Sequence, residues 1–268
     1  MKTFKTDNIT IYNTDNTLLF PLLEDKQFDV SLLDPPYGIG VAKMAYLKEK
    51  NTVVVQKNGN KLNPNKNKKI YQQKEWDNEI PNYHYWQQSF RVAKYYLVFG
   101  ANYFPELVGK PFLPPKRHQF STFLYEHPTG WIIWDKMNGG NDFNDCELIK
   151  TSFNFKSYVL QYMWCGMMQG SRLDGTKQEG NKKLNEKRIH PTQKPTRLYE
   201  ILLAKHLENG GGIFDAGLGS GSLAEAVQNL NNLFHAQYTL VGCEKETDYF
   251  NLLVKRLENK PKQIAIKL

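Results

Sequence analysis

The sequence predicts an α/β protein built on a doubly wound, mostly parallel sheet. Three observations point there. Short apolar β-type runs alternate with helix-length stretches, the pattern of strands joined by crossover helices. A glycine-rich turn separates one of these runs from a helix start near the end of the chain. A further run, about 20 residues beyond that turn, ends in an acid, as nucleoside-binding sheets do at their carboxyl edge. With 268 residues and 40% hydrophobic side chains the chain can bury a substantial core, and a single domain spanning 1–268 is expected.

The strands are read, in order, at Asn8 to Tyr12, Phe28 to Leu33, Tyr95 to Phe99, Trp131 to Trp134, Tyr158 to Trp164, Gly212 to Phe214 and Tyr238 to Cys243. A helix should follow Pro195 with Leu198, Ile201 and Leu202 facing inward, and Gly210, Gly211 and Gly212 should end it and separate it from the next strand. Another helix should begin near Ser222. The last shows the clearest periodicity, with Phe250, Leu253, Val254 and Leu257 opposite Glu246, Lys255 and Glu258.

Charge is distributed unevenly. The formal net charge is +8 and the sequence pI is about 9.1, which favours a polyanionic partner. From Val41 to Glu75 nine lysines face two glutamates, and from Gly166 to Arg188 six basic residues face three acidic ones. Both segments are polar and lack apolar periodicity, so they read as surface loops. Cys146, Cys165 and Cys243 form no CxxC pair; neither a metal cluster nor a disulfide framework is indicated, and a reduced, cytoplasmic setting is expected. The N-terminal residues lack the apolar core of a signal peptide, and no run approaches the roughly 18 apolar residues of a membrane span.

Two motifs carry chemistry. Asp34-Pro35-Pro36-Tyr37 follows the apolar run Phe28 to Leu33. The prolines fix φ and remove amide donors, so an acid and an aromatic ring are held together in a rigid turn able to grip a flat amine by its edge and its face. The second motif is Asp215-Ala216-Gly217-Leu218-Gly219-Ser220-Gly221-Ser222, a strand end, glycine turn and helix start whose free amides and bare backbone suit a closely approaching ligand. Its GxGxG spacing matches neither the GxGxxG fingerprint nor a P-loop, which disfavours a nicotinamide oxidoreductase. Glu244, at the next strand end, can accept hydrogen bonds from both hydroxyls of a ribose.

With these two motifs, and Arg188-Ile189-His190-Pro191-Thr192-Gln193-Lys194-Pro195 just before the second, the chain resembles the amino-group DNA methyltransferases that use S-adenosylmethionine. The order of the motifs is similar to that of the permuted beta class, DPPY adenine-N6 type. Asn13-Thr14-Asp15, Leu97-Val98-Phe99-Gly100-Ala101-Asn102, Trp131-Ile132-Ile133-Trp134-Asp135-Lys136 and Asp145-Cys146-Glu147 occur in the corresponding sequence. The resemblance implies a Rossmann-like sheet of the seven-stranded type in circularly permuted order, S-adenosylmethionine as cofactor, no metal, and double-stranded DNA as substrate. Two departures stand out: Ala216 and Gly217 replace the usual Pro-Phe pair of DPFxGSG, and Ser222 stands where Thr is usual.

By position, the resemblance makes Asp34, Pro35, Pro36 and Tyr37 the catalytic turn. Asp215, Gly217, Gly219, Gly221 and Ser222 would line the cofactor's methionine and ribose end, and Glu244 would hold the ribose. Asp15 would lie near its adenine, and Gln193 and Lys194 near its methionine part. Variable regions of the family contribute to target recognition; here these are the basic loop 41–75 and the segment 139–188. Candidate phosphate contacts are Lys43, Lys48, Lys57, Lys61, Lys66, Lys68, Lys69, Arg172, Lys182, Lys183 and Arg188, with Asn58, Asn60, Gln169 and Gln178 as candidate base readers. Trp76, Tyr83, Tyr85 and Trp86 read as core or helix packing. Asp at position 34 favours adenine N6 over cytosine N4 by the same resemblance, and an intact Asp34 and glycine loop disfavour a non-catalytic DNA-binding protein. A restriction endonuclease partner is compatible with the sequence, as is a monomer or a homodimer.

Overall fold

The computed structural model describes residues 1–40, 54–55, 61–62, 77–104, 107, 130–138, 144–153, 156–165, 168–170, 185–190 and 192–259. Its strands are β1 (Lys2–Lys5), β2 (Ile9–Asn13), β3 (Phe28–Leu33), β4 (Val54–Val55), β5 (Lys61–Leu62), β6 (Ala93–Phe99), β7 (Trp131–Asp135), β8 (Cys146–Thr151), β9 (Tyr158–Gln161), β10 (Met163–Cys165), β11 (Met168–Gly170), β12 (Gly210–Asp215) and β13 (Gln237–Cys243). The helices are α1 (Asn16–Leu19), α2 (Tyr83–Arg91), α3 (Thr196–His206), α4 (Ser222–Phe234) and α5 (Thr247–Glu258).

Among the described residues the main sheet has nine strands in the order β1-β2-β13-β12-β3-β6-β8-β7-β9, two more than a seven-stranded sheet. The block from β2 to β6 is parallel throughout, whereas β1 and β8 run antiparallel to their neighbours. Every expected strand is present, but Tyr158 to Trp164 divides at Tyr162 into β9 and β10. The expected helix terminator at Gly210, Gly211 and Gly212 is instead the start of β12. Helix α3 ends four residues before β12, and Asn209, with φ of 48°, turns the chain. The glycines leave room for Asp29, whose Oδ2 accepts the amide of Gly212 at 2.8 Å.

Successive core residues point to opposite faces, as the period of a strand demands. Val30, Leu32, Ile213 and Leu240 pack with Leu198 and Leu202 of α3, Leu223 and Val227 of α4, and Phe250, Leu253 and Leu257 of α5. Leu33, Phe214 and Cys243 pack on the other side with Leu19, Phe20 and Trp86, and Phe28, at the start of β3, departs from the alternation to stack on Phe214. Helices on both faces make the sheet doubly wound. Ile201 and Val254 are only partly buried at the core's margin. Tyr83, expected to pack, is 72% exposed, whereas Trp86 is buried. Trp76 lies outside the described residues.

Candidate active site

The chain leaves β12 for β13 on one side of it, while β3 pairs with β12 on the other side and leads on to β6. Between β12 and β3 the winding direction changes, and in open α/β sheets such a point opens a crevice outside the carboxyl ends of the strands. Asp215 ends β12 and Asp34 immediately follows β3, so two residues far apart in sequence meet at one sheet edge. A cavity of about 460 Å³ lies there, a size suited to a small-molecule ligand. Its walls include Asp34, Pro35, Pro36 and Tyr37 on one side, and Asp15, Gln193, Lys194, Asp215, Gly217, Gly219, Ser222 and Glu244 around the rest.

On the first side an ionic network holds the turn. Lys194 Nζ donates to Asp34 Oδ1 at 2.7 Å and Oδ2 at 2.9 Å, and lies 3.0 Å from Glu147 Oε1. Lys136 Nζ holds the other oxygen of Glu147 at 3.1 Å. The Tyr37 hydroxyl lies 2.9 Å from Asp34 Oδ1 and makes a short hydrogen bond to Glu147. Asp77, which also lines the cavity, supports the turn, its Oδ1 accepting the amides of Tyr37 and Gly38 at 2.8 and 3.1 Å. The Tyr37 ring stacks on Tyr103 with centroids 4.9 Å apart, so one of its faces is already covered. Lys194 lines the cavity, yet its ammonium points at the acid of the turn.

The environments of the two carboxylates differ. Burial pushes Asp34 up; Lys194 counters it, the charge of Glu147 adds to it, and Asp34 ends above the ordinary carboxylate range. Burial also pushes Glu147 up, but Lys194 and Lys136 outweigh it and bring that acid down to about 2. Lys194 is held above its ordinary value because Asp34 and Glu147 overcome the effect of its burial. Burial first, then the two anions, raises Tyr37 well above an ordinary phenol, so it remains a hydroxyl donor. Two acids whose environments separate them in this way can take different roles in proton transfer.

The glycine loop forms the second side. Gly221, at φ 73°, precedes α4, and a Cβ there would stand 2.5 Å from Leu253 Cγ; it therefore supports the helix start without lining the cavity. Nothing lies within 4 Å of a Cβ built on Gly217 or Gly219, which leaves space for a ligand against the bare backbone. Glu244 Oε2 accepts the Gly219 amide at 2.7 Å and its Oε1 accepts that of Glu246 at 2.8 Å. Asp215 Oδ1 accepts the Gly217 amide at 2.9 Å; even so, burial foremost, with Asp34 and Glu244 adding to it, raises its pKa to about 8.

Other residues in the cavity wall brace their surroundings. Asp15 caps α1 through Thr17 and pairs with Lys245 at 3.0 Å. Gln193 accepts the Ile189 amide and donates to Glu186, both at 2.8 Å, which braces the 186–193 loop. The Ser222 hydroxyl donates to the Lys194 carbonyl at 2.7 Å and so links the start of α4 to the lysine that holds the Asp34 turn.

Sequence reasoning gives no role to Glu147, Lys136 or Asp77, although Glu147 and Lys136 end the segments Asp145-Cys146-Glu147 and Trp131 to Lys136. The available signal for Glu147 was alternation: it shares the buried side of β8 with Ile149 and Thr151.

Of the candidate DNA contacts, Lys43, Lys48, Lys57, Lys66, Lys68, Lys69, Arg172, Lys182 and Lys183 lie outside the described residues, as do Asn58, Asn60 and Gln178. Lys61 is described only as backbone, in β5. Arg188 stacks on Trp164, 4.4 Å from the ring centroid. Gln169, expected to read bases, is buried and exchanges hydrogen bonds with the backbone of Glu186 at 3.2 and 2.8 Å, so its amide is already engaged. Within the segment 139–188, β8 and β9 belong to the main sheet.

A doubly wound sheet with an acidic turn and a glycine loop facing each other across its switch point defines a ligand-binding α/β protein with the makings of an enzyme. Residues 42–255 match the family model described as DNA methylase, and the chain belongs to that family. Similar solved structures include that of the M1.HpyAVI-SAM complex, 17% identical with a TM-score of 0.48, covering 92% of this chain and 99% of that one. The PvuII DNA methyltransferase (cytosine-N4-specific) is 14% identical with a TM-score of 0.48, covering 97% and 89%. The Thermus thermophilus protein TTHA0409 is 14% identical with a TM-score of 0.44, covering 95% and 96%. Comparison with curated proteins returns no match. Among the described residues no helix is long and apolar enough to cross a membrane.

Proposed function

We propose that the chain is a site-specific DNA adenine methyltransferase that uses S-adenosylmethionine and modifies the exocyclic N6 amine of an adenine turned out of the duplex. The observation that carries this reading is the shared cavity: the Asp34 turn and the Asp215 to Ser222 loop face the same space. The residues fit the cofactor. Open space over Gly217 and Gly219 would admit it, Glu244 would hold its ribose and Asp15 its adenine, and Asp215 would offer a carboxylate to its cationic group. When bound, S-adenosylmethionine supplies a methyl group already activated on a sulfonium.

The chain's own residues then supply alignment. An adenine amine is a weak nucleophile because its lone pair is delocalised into the ring. Asp34 and the Pro35 carbonyl would accept its two hydrogens, making the nitrogen more tetrahedral and orienting its lone pair. A base inside the duplex cannot reach this site, so it has to be rotated out. It would stack on Tyr37 by displacing Tyr103, which covers one face of that ring. The basic residues of 41–75 and 166–188 would neutralise phosphates, and binding should weaken steeply with salt.

Asp34 is the residue to test. Asp34→Ala leaves Lys194 paired with Glu147 at 3.0 Å, so folding and cofactor binding should persist while methyl transfer to DNA is lost. Labelled-methyl transfer and cofactor titration check both, and near wild-type turnover would refute the assignment. Sequencing of DNA from an expressing host should show N6-methyladenine at one sequence context; methylcytosine alone would overturn the choice of base.

A further inference from the structure

Glu147 is a buried carboxylate in contact with the catalytic turn, and the alignment described above does not use it. It reaches the turn from β8, 110 residues from Tyr37 in sequence. Its Oε1 faces the same ammonium and the same hydroxyl as Asp34, and its Oε2 has Lys136. Two acids thus divide one lysine, and a second lysine serves only the acid farther from the cavity.

We propose that Glu147 is a positioning residue for methyl transfer: by sharing Lys194 and Tyr37 with Asp34, it leaves Asp34 fixed in place but incompletely neutralised, ready to take the proton the target amine releases. The inference rests on the amine-methylation reading above. The amine nitrogen forms the new bond to carbon with its lone pair, and the carbon–sulfur pair departs with sulfur. The nitrogen, now cationic, keeps the electrons of one N–H bond while that proton passes to Asp34, whose acid form returns it to water.

Were Lys194 to serve Asp34 alone, the carboxylate would be held as a tight ion pair and would be a weaker base. The other charged or titratable groups facing Asp34 are Asp215 from β12 and the phenols Tyr37, Tyr85 and Tyr199, from its own turn, α2 and α3. The phenols are held neutral and Asp215 is itself raised to about 8, which leaves Glu147 as the anion that raises Asp34.

The test is the single-turnover rate of methyl transfer to DNA measured from about pH 5 to about pH 9 for wild type, Glu147→Gln and Lys136→Met, with cofactor affinity measured alongside. Gln keeps the shape and an acceptor but removes the charge. Its rising limb should move to lower pH by about one unit or more, and its plateau rate should fall roughly tenfold, with cofactor affinity unchanged. Lys136→Met strengthens the hold of Glu147 on Lys194 and should move the limb the other way. An unmoved limb in Glu147→Gln, or limbs moving together in both variants, would overturn the proposal while leaving the function intact. If the wild type itself transfers no methyl group to DNA, the underlying reading fails and the proposal falls with it.

Discussion

Gly100 shows how far one residue can control the turn. It follows β6 with φ of 61°, and a Cβ there would lie 2.3 Å from Tyr37 Cζ. Backbone strain and the collision act together, since the ring it would strike is confined by Tyr103 and by the hydroxyl's bonds to Asp34 and Glu147. Gly100→Ala should therefore displace Tyr37 and loosen Asp34, lowering methyl transfer by about 100-fold with little change in cofactor affinity. Steady-state kinetics and cofactor titration check the split; unchanged turnover would mean that the ring's position is unimportant. The motifs of Asp34 and of Asp215 to Ser222 were readable because each is contiguous. Glu147 was not, because its significance comes from Lys136, Lys194 and Tyr37, which only folding assembles.

At the level of elements, Arg256 ties the second half of the molecule together. From α5 its guanidinium bonds Glu186 at 2.6 Å, Thr196 at 2.7 Å and the Ser220 carbonyl at 3.1 Å, and makes a short contact with Glu225. It thereby joins α5 to the glycine loop, to the starts of α3 and α4, and to the loop that carries Lys194. The pattern of Phe250, Leu253 and Leu257 revealed α5 because apolar periodicity is local; it could not reveal this tie, whose partners come from four segments. Arg256→Met would leave two largely buried acids without their cation, a loss of about 3 kcal/mol or more, and Tm should fall by roughly 6 °C or more. Thermal and denaturant unfolding measure it, and a shift under about 2 °C would show that the acids find other partners. The two strands of the main sheet missed in the sequence, β1 and β8, have related causes. β1 is a charged edge strand, and β8 places Glu147 on its buried side, where its lysine partners satisfy it but only the folded sheet shows them.

For the whole molecule, the sheet edge concentrates acids, and that sets a pH response linking stability to ligand binding. The alternation of strands and helices made the doubly wound sheet legible, and the switch point followed from it; the electrostatic consequence needed the burial of Asp215. With its pKa raised to about 8, Asp215 is protonated at neutral pH in the ligand-free fold, whereas in the unfolded chain it is ionised above its ordinary value of 3.8. Between these values the folded state binds the extra proton, so the contribution of Asp215 to stability falls as pH rises. A cationic ligand reverses the preference, because it favours the carboxylate. S-adenosylmethionine should then bind with release of a proton below about pH 8, gaining up to roughly tenfold in affinity per pH unit before levelling off. Asp215→Asn cannot titrate; it should be more stable than wild type in alkaline solution without ligand, and should lose this part of the affinity gradient. Titration calorimetry in buffers of different ionisation enthalpy counts the proton, and thermal unfolding of the ligand-free proteins across the same range gives the opposing slope. Equal proton release by wild type and variant would assign the proton to the ligand's own amine and remove Asp215 from the linkage.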